Sequence, residues 1–279
     1  MKYFNHEGAS SAQGLLLSLF GIFVLDQGER DGIPTGLAIA VLEPLGISES
    51  ATRMALNRMV QREMLTRRRE GRTTTFLLTE TGASLLTRGR DRVFAVAPFD
   101  HQEAGWTLLS VKSLSLPVAA RYQFETRLLW AGFGMLDTRV WIAPGCVDVA
   151  DLLEGILSPD TLAELHVFYG YPAAPARLDN LICSVWAMAE IQAAHQAFLV
   201  EWANVDGNNV PALSTIIRLL LHWTQLLRKD PGLPGSEIDN AWPASRSTET
   251  FKRLFDTLKE PARQQFFELS RHCRKSSTD

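Results

Sequence analysis

The chain has 279 residues, of which 46% are hydrophobic and 21% charged, and its net charge is −3. This length fits two or three compact domains, and the composition argues against a globally disordered chain. Three well-separated cysteines without a CxxC pair argue against a disulfide framework, and the longest apolar run, residues 14–25, is too short to cross a membrane. Because no signal peptide is apparent either, we expect a cytoplasmic protein without a membrane partner.

The first 46 residues predict two helices. The first helix begins at residue 10 or 11, where leucine and phenylalanine side chains recur at helical spacing. A turn-rich break follows, and Thr35 is the predicted cap of a second helix that ends near Leu45. Gly46 then suits a left-handed position after the helix.

A third helix and a hairpin come next. Ser48 is the predicted cap of this third helix, residues 65–79 predict strand, turn and strand, and a linking helix ends near residue 92. Helix, helix, short turn, helix and hairpin is the order of a winged helix-turn-helix.

The middle of the chain alternates between strands and helices. The predicted elements are a strand over 106–114, a helix over 118–134, a strand over 137–144, a short helix, and a strand over 164–170. This pattern predicts a small ferredoxin-like α+β sandwich.

After a proline-containing linker at 171–176 the pattern is helical, with predicted helices over 178–204, 210–228 and 248–272. We therefore predict an α+β protein of three domains: 1–92 for DNA binding, 93–175 for the ferredoxin-like fold, and 176–279 as an all-helical domain.

Charge favours the DNA-binding interpretation of the N-terminal part. Seven arginines and two glutamates lie between residues 53 and 72, whereas the chain as a whole is acidic. A local basic patch on an acidic molecule is typical of a DNA-binding module attached to a regulatory body. On charge alone, a solvated arginine-rich helix and hairpin without a DNA partner is an equally good interpretation.

The third helix has the two faces that a DNA-recognition helix needs. Thr52, Leu56 and Met59 fall on one face and are expected to pack on the preceding helices. The opposite face carries Ser50, Arg53, Asn57 and Gln61, with Arg58 and Arg62 at its flank.

Since arginine pairs with guanine and asparagine with adenine, we predict that Arg53 and Asn57 contact bases. Ser48 and Ser50 are expected nearby, and Arg58 is expected on phosphate. The alternative is that this face is simply solvated.

The hairpin tip supplies further cations. Arg69 and Arg72 flank Gly71, which permits a tight turn, and are predicted to contact phosphate or the minor groove. Strand alternation places Arg67 and Arg69 on one face and Arg68 on the other, so not all three contact DNA. One of them is expected to form a salt bridge or to be a solubilising charge.

No catalytic or metal site is predicted. The six histidines form no HxxxH or HExxH pair, and the chain has no Walker A loop, GxGxxG fingerprint or GxSxG elbow. We therefore expect a protein that is not an enzyme and has no cofactor.

Three blocks of the sequence carry a resemblance to a known family. They are "LFGIFV" in the first helix with residues 44–82, "GFGMLDTRVWIAPG" in the middle, and "DPGLPGSEIDNAWPASRSTETFKRLF" near the C-terminus. Together they resemble the PaaX family, repressors of phenylacetic acid catabolism, over nearly the whole chain. The segment "EIDNAWPAS" departs from the family pattern and leaves the effector open.

The resemblance implies a Cas2-like middle domain, binding of a homodimer to a pseudo-palindromic operator on double-stranded DNA, and release by an aryl-acetyl-CoA thioester. It also implies that residues 176–279 serve effector sensing and dimerisation. A Cas2-like nuclease is rejected because the first strand of the middle domain has no acidic residue for a metal. Candidate effector contacts are Arg121, Arg139 and Arg177 for the phosphates, and Trp186 and Trp223 for an apolar pocket. For the tryptophans, a place in the core or a dimer interface is the other interpretation.

Two other functions stay open. The winged fold together with the aromatic C-terminal helices could form a protein–protein adaptor that binds DNA weakly and without sequence preference. An enzyme acting on a CoA thioester has only the proposed ligand class in its favour.

Overall fold

The computed structural model describes residues 7–25, 32–71, 73–99, 105–111, 116–173, 175, 177–233 and 242–275. The chain forms two compact units. The first combines Met1–Phe94 with Trp202–Trp223 and Glu249–Asp279, and the second combines Ala95–Glu201 with Thr224–Thr248. The C-terminal helical residues therefore contribute to both units, and the three-domain division remains a prediction.

The N-terminal part of the first unit contains helices and a small sheet. Its elements are α1 (Glu7–Phe20) continued by a π-helical turn (Gly21–Leu25), β1 (Ile33–Pro34), α2 (Thr35–Leu42) with a 3-10 turn (Glu43–Leu45), α3 (Glu49–Gln61), β2 (Leu65–Glu70), β3 (Thr73–Leu78) and α4 (Glu80–Val93).

The three N-terminal helices enclose an apolar core. α1 and α2 both contact α3. The side chains between them are at most 2% exposed and include Leu16, Leu19, Phe20, Leu37, Leu42, Leu56 and Met59. Burial of each such side chain contributes about 1.5–3 kcal/mol, which fixes the position of α3 on its neighbours.

The start of α2 differs from the prediction. Its N-cap residue is Pro34, which makes no side-chain cap. Thr35 lies inside the helix and its hydroxyl donates a hydrogen bond to the carbonyl oxygen of Thr74, 2.9 Å away. The Thr35 side chain therefore does not cap α2 but links this helix to β3. Gly46, at φ 80°, has the predicted left-handed conformation.

The N-terminal sheet has the strand order β1-β3-β2, with antiparallel pairs. β2 and β3 are paired from Leu65 opposite Leu78 to Glu70 opposite Thr73. This is the predicted hairpin. The winged helix-turn-helix assignment itself remains a prediction, which this order of elements favours.

Aromatic contacts join the C-terminal segments of the first unit to its N-terminal part. The rings of Phe23 and Phe266 stack with centroids 4.3 Å apart. Trp223 is fully buried and stacks on Phe251 at 4.4 Å, while its indole N–H donates to the carbonyl oxygen of Val93 at 3.0 Å. The C-terminal segments of the first unit thus pack on its π-helical turn and on the end of α4.

The second unit contains a four-stranded antiparallel sheet of strand order β5-β6-β4-β7. Its elements are β4 (Trp106–Ser110), α5 (Val118–Trp130), β5 (Gly134–Asp137), β6 (Val140–Pro144), α6 (Val149–Leu153), α7 (Pro159–Ala163) and β7 (His166–Gly170). The buried core includes Leu109, Phe124, Leu128, Phe133, Trp141 and Leu153.

This unit contains two elements that the sequence did not predict, the strand β5 and the helix α7. With β5 included, the order strand, helix, strand, strand, helices, strand favours the predicted ferredoxin-like fold. The ferredoxin-like and Cas2-like assignments remain predictions.

The C-terminal helices are α8 (Leu178–Val185), α9 (Met188–Trp202), α10 (Ala212–Lys229) and α11 (Ala244–Lys275). The single helix predicted over 178–204 is wrong, because Trp186 has extended backbone angles and separates α8 from α9. Its indole lies against Trp106, with centroids 5.9 Å apart, in a buried cluster of the second unit.

Candidate nucleic-acid interface

Local hydrogen bonds define where α3 begins. Ser48 precedes the helix, and its hydroxyl oxygen accepts a hydrogen bond from the backbone N–H of Ala51 at 3.3 Å, as predicted. The hydroxyl of Thr52 donates to the carbonyl oxygen of Ser48 at 3.1 Å. Such a cap contributes about 1 kcal/mol and fixes the first turn of the helix.

The two faces of α3 are as predicted. Thr52, Leu56 and Met59 are 0% exposed and form the inner face. The side chains proposed for DNA contact all lie on the exposed side: Ser48, Ser50, Arg53, Asn57 and Arg58. α3 therefore presents hydroxyl, guanidinium and amide groups to solvent along one side, which are the donors and acceptors used for base edges and phosphates.

Arg53 is oriented by a neighbouring carboxylate. Its Nε and Nη2 atoms lie 2.8 Å and 2.7 Å from the same Oε1 atom of Glu49, one helical turn earlier. Both side chains are more than half exposed, at 54% and 60%. The guanidinium is thereby held toward the N-terminal end of α3, the end that approaches bases in a helix-turn-helix.

Two further contacts order the polar side of α3. The hydroxyl oxygens of Ser48 and Ser50 lie 3.1 Å apart. Arg62, at the end of the helix, donates from Nη1 to the side-chain oxygen of Gln13 in α1 at 3.1 Å. Arg62 thus ties α3 to α1.

The β2–β3 hairpin also carries exposed arginines. Arg67, Arg68 and Arg69 are all exposed. Arg68 pairs with Glu70 at 2.9 Å. Of the three consecutive arginines, it is therefore one that forms a salt bridge. Arg69 donates from Nε to the carbonyl oxygen of Gly71 at 3.3 Å, close to the turn. Arg72, also predicted to contact DNA, lies outside the described residues.

Sequence reasoning missed two residues on the exposed side of α3. Glu49 was not singled out, although its spacing of four from Arg53 is the signal for an ion pair on a helix. Met54 was not named either, and its side chain is 51% exposed among polar neighbours. A helical wheel would have placed Met54 there, because it lies four residues after Ser50.

The residues proposed for effector binding have different surroundings. Arg121, Arg139 and Arg177 are exposed. Arg177 pairs with Asp179 at 2.8 Å, and this hydrogen bond lowers the pKa of the Asp179 carboxyl. The charge of Arg177 is therefore already matched within the protein.

The two tryptophans of this set are buried. Trp186 is 9% exposed and belongs to the second unit, and Trp223 is 0% exposed and belongs to the first. The contacts of both rings described above are those of core side chains.

A buried polar network lies in the second unit. His195 Nδ1 is 2.9 Å from the Ser247 hydroxyl and Nε2 is 2.8 Å from an Asp230 carboxylate oxygen. The Ser247 hydroxyl also lies 3.1 Å from the carbonyl oxygen of Pro243, which can accept its hydrogen. His195, Asp230 and Ser247 are at most 2% exposed, so the network joins protein segments and is closed to a substrate.

In the described part of the chain, no three His, Cys, Asp or Glu side chains are grouped so as to hold a metal ion. Among the same residues, none of the helices combines the length and apolar character required to cross a membrane.

Comparison with known proteins places the chain in a family. Residues 11–82 match the family described as PaaX-like protein, and residues 186–268 match the PaaX-like protein C-terminal domain. Together these ranges cover more than half of the chain, so the protein belongs to the PaaX-like family. The resemblance predicted from the sequence is confirmed.

Two individual proteins are similar over most of the chain. The Transcriptional repressor PaaX of Escherichia coli (strain K12) is 26% identical in an alignment of 243 residues that covers 83% of this chain and 75% of the relative. An uncharacterized protein from Mycobacterium tuberculosis has a solved structure that superposes with a TM-score of 0.54 at 22% identity, over 91% of this chain and 98% of that one. The second similarity shows a shared fold.

Proposed function

We propose that this protein is a transcriptional repressor that binds double-stranded DNA through α3 and the β2–β3 hairpin. The observation that carries the proposal is the exposed side of α3, on which Arg53 and Asn57 lie. The chain also belongs to the PaaX-like family, and a relative is named a transcriptional repressor. Arginine can offer two N–H donors to guanine, and asparagine can offer one donor and one acceptor to adenine, so these side chains on a helix whose other side is buried suit direct contact with base edges.

Each side chain has a specific task in this proposal. Arg53 contacts guanine and Asn57 contacts adenine in the major groove. Ser48 and Ser50 lie near these bases, and Arg58 contacts phosphate, which fixes the register of the helix on the duplex. Arg69 and Arg72 of the hairpin contact phosphate or the minor groove.

The finer parts of the proposal rest on the family. They are a winged helix-turn-helix, a Cas2-like second fold, a cytoplasmic homodimer on a pseudo-palindromic operator, and release by an aromatic acyl-CoA such as phenylacetyl-CoA. A dimer suits such an operator because the two-fold symmetry of the protein matches that of the site.

The candidate effector contacts are proposed to be Arg121, Arg139 and Arg177 for phosphates, and Trp186 and Trp223, each within its own unit, for an aryl group. Arg177 would have to exchange Asp179 for the ligand. Trp223 would have to open its stack with Phe251, so its participation implies a conformational change. A ligand that changes the ratio of DNA-binding to non-binding conformations from 99:1 to 1:99 must bind the non-binding conformation more tightly by about 5.5 kcal/mol.

A salt titration tests the proposal. Binding of the full-length protein to the promoter region beside its own gene is compared with binding to a scrambled duplex, with and without phenylacetyl-CoA. The proposal predicts a specific complex that weakens steeply with salt, since contacts to phosphate release counterions, and that dissociates on adding the thioester.

The other outcomes separate the alternatives. Specific binding without a thioester response would keep the repressor and reject the effector. Equal affinity for promoter and scrambled duplex would refute the repressor and favour the protein–protein adaptor. Turnover of the thioester would favour the enzyme.

Arg53→Ala tests the assigned surface. The substitution should cost about 1–3 kcal/mol at one base pair and relax specificity there. Arg246→Ala is the matched control, because Arg246 is an exposed arginine of α11, outside α3 and the hairpin. Unchanged affinities of Arg53→Ala for cognate and scrambled DNA would refute the assignment.

A further inference from the structure

The ion pair between Glu49 and Arg53 places an acidic side chain on the surface proposed to face DNA. Glu49 is the first residue of α3, and both side chains are more than half exposed. A carboxylate at this position repels phosphate, so it lowers the affinity for any duplex. The presence of Glu49 on this surface therefore needs an explanation from its neighbours.

The geometry of the ion pair provides this explanation. A guanidinium has five N–H donors and can present two different edges, the Nε–Nη2 side and the Nη1–Nη2 end. Glu49 occupies the first edge, because Nε and Nη2 of Arg53 both reach its Oε1 atom at 2.8 Å and 2.7 Å. Among the residues that the structure describes, Nη1 makes no hydrogen bond, so the second edge is available.

We propose that Glu49 is a positioning residue that holds Arg53 so that its Nη1–Nη2 edge is presented to a base pair. This inference rests on the proposed function, and it assigns sequence discrimination to a residue that does not itself contact the base. Fixing one edge in advance removes the alternative orientations in which the same arginine would bind a phosphate. Glu49 thus lowers the affinity for DNA in general and raises the preference for one base pair.

The helix itself offers a competing explanation for Glu49. An acidic residue in the first turn interacts favourably with the N-terminal end of the helix dipole and stabilises α3 without any part in recognition. Glu80 provides the matched control, because it is likewise the exposed first residue of a helix, α4, and follows the capping residue Thr79. A merely structural glutamate would not change the preference at a single base pair.

The experiment measures the binding of full-length protein to the promoter duplex, to every single-base-pair substitution of its binding site, and to a scrambled duplex. The variants are Glu49→Ala, Glu49→Gln, Arg53→Ala, the double variant Glu49→Ala/Arg53→Ala, and Glu80→Ala. Arg53→Ala identifies the base pair concerned.

We expect Glu49→Ala to lower discrimination at that base pair by about two- to fivefold, the range of an exposed ion pair, and to raise the affinity for scrambled duplex. Glu49→Gln should retain discrimination because its amide oxygen still accepts from the guanidinium, and it too should bind scrambled DNA more tightly. The double variant should discriminate no differently from Arg53→Ala, and Glu80→Ala should match the wild type.

Two results would overturn the inference alone. One is a Glu49→Ala variant that discriminates like the wild type at the base pair lost in Arg53→Ala. The other is an effect of Glu49→Ala on base preference that persists in the absence of Arg53. A wild-type protein without any sequence preference would instead refute the proposed function, and this inference with it.

Discussion

The contact between α4 and the chain after α3 gives a sharp test of the packing around the hairpin. Gly82 is a buried residue in the first turn of α4. A Cβ atom added there would lie 2.1 Å from the carbonyl oxygen of Met64 and 3.0 Å from its carbonyl carbon. Because both are backbone atoms, Gly82→Ala can be accommodated only if α4 moves away from the chain that leads into β2.

The movement would also disturb the cap of α4. The hydroxyl of Thr79 accepts from the N–H of Gly82 at 3.0 Å, and the N–H of Thr79 donates to Met64 O at 3.2 Å. Overpacking costs about 1–3 kcal/mol, and a clash with backbone atoms belongs at the upper end of that range. Because alanine returns about 1 kcal/mol in a helix interior, we expect Gly82→Ala to lower the free energy of unfolding by about 2 kcal/mol.

Gly89 is the matched control in the same helix. A Cβ atom added there meets nothing within 4 Å, so Gly89→Ala should raise the free energy of unfolding by about 0.5–1 kcal/mol. Urea unfolding followed by far-UV circular dichroism measures both variants. Two variants of equal stability, or a Gly82→Ala protein more stable than the wild type, would refute this account of the packing.

Three further predictions concern a helix cap, the buried network and the cysteines. Ser48→Ala removes the cap of α3 and should lower stability by about 1 kcal/mol in urea unfolding. Asp230→Ala leaves His195 buried without its acceptor at 2.8 Å and should cost about 3–5 kcal/mol by the same measurement. Burial raises the pKa of the Cys273 thiol, so less thiolate is present at pH 8 and alkylation followed by mass spectrometry should modify Cys273 more slowly than the exposed Cys183.

Each of these has a control or a contradicting result. Ser50→Ala should leave stability unchanged, since Ser50 is not the capping residue. Asp256→Ala removes an exposed pair with Lys259 and should have no measurable effect. An Asp230→Ala protein as stable as Asp256→Ala would show that the network contributes nothing. Alkylation of Cys273 before Cys183 would contradict the effect of burial.

The sequence was sufficient to predict α3 and the hairpin, because their signals are local. A hydroxyl cap at Ser48 and an apolar stripe at Thr52, Leu56 and Met59 depend only on residues a few positions apart. The exposed side of the helix follows from the same periodicity. The fold class and the family were predictable for a similar reason, since several such local patterns occur in a fixed order.

The elements that the sequence did not predict depend on distant contacts. The break between α8 and α9 occurs where Gly134 of β5 lies so close to Val185 and Trp186 that a Cβ atom would come within 2.1 Å and 2.9 Å of their side chains. β5 itself begins at a glycine and has no alternating pattern, so only its pairing with β6 makes it a strand. Thr35 has a capping residue's chemistry, but its hydroxyl bonds to Thr74, 39 residues away.

The most direct test of the proposed function is a base-pair-by-base-pair comparison of wild-type protein and Arg53→Ala on the promoter region beside the gene. We predict that the wild type prefers this DNA to a scrambled duplex and that Arg53→Ala loses discrimination at one position in each half of a two-fold symmetric site. Equal binding of the wild type to promoter and scrambled DNA, or an Arg53→Ala profile identical to that of the wild type, would contradict DNA recognition through α3.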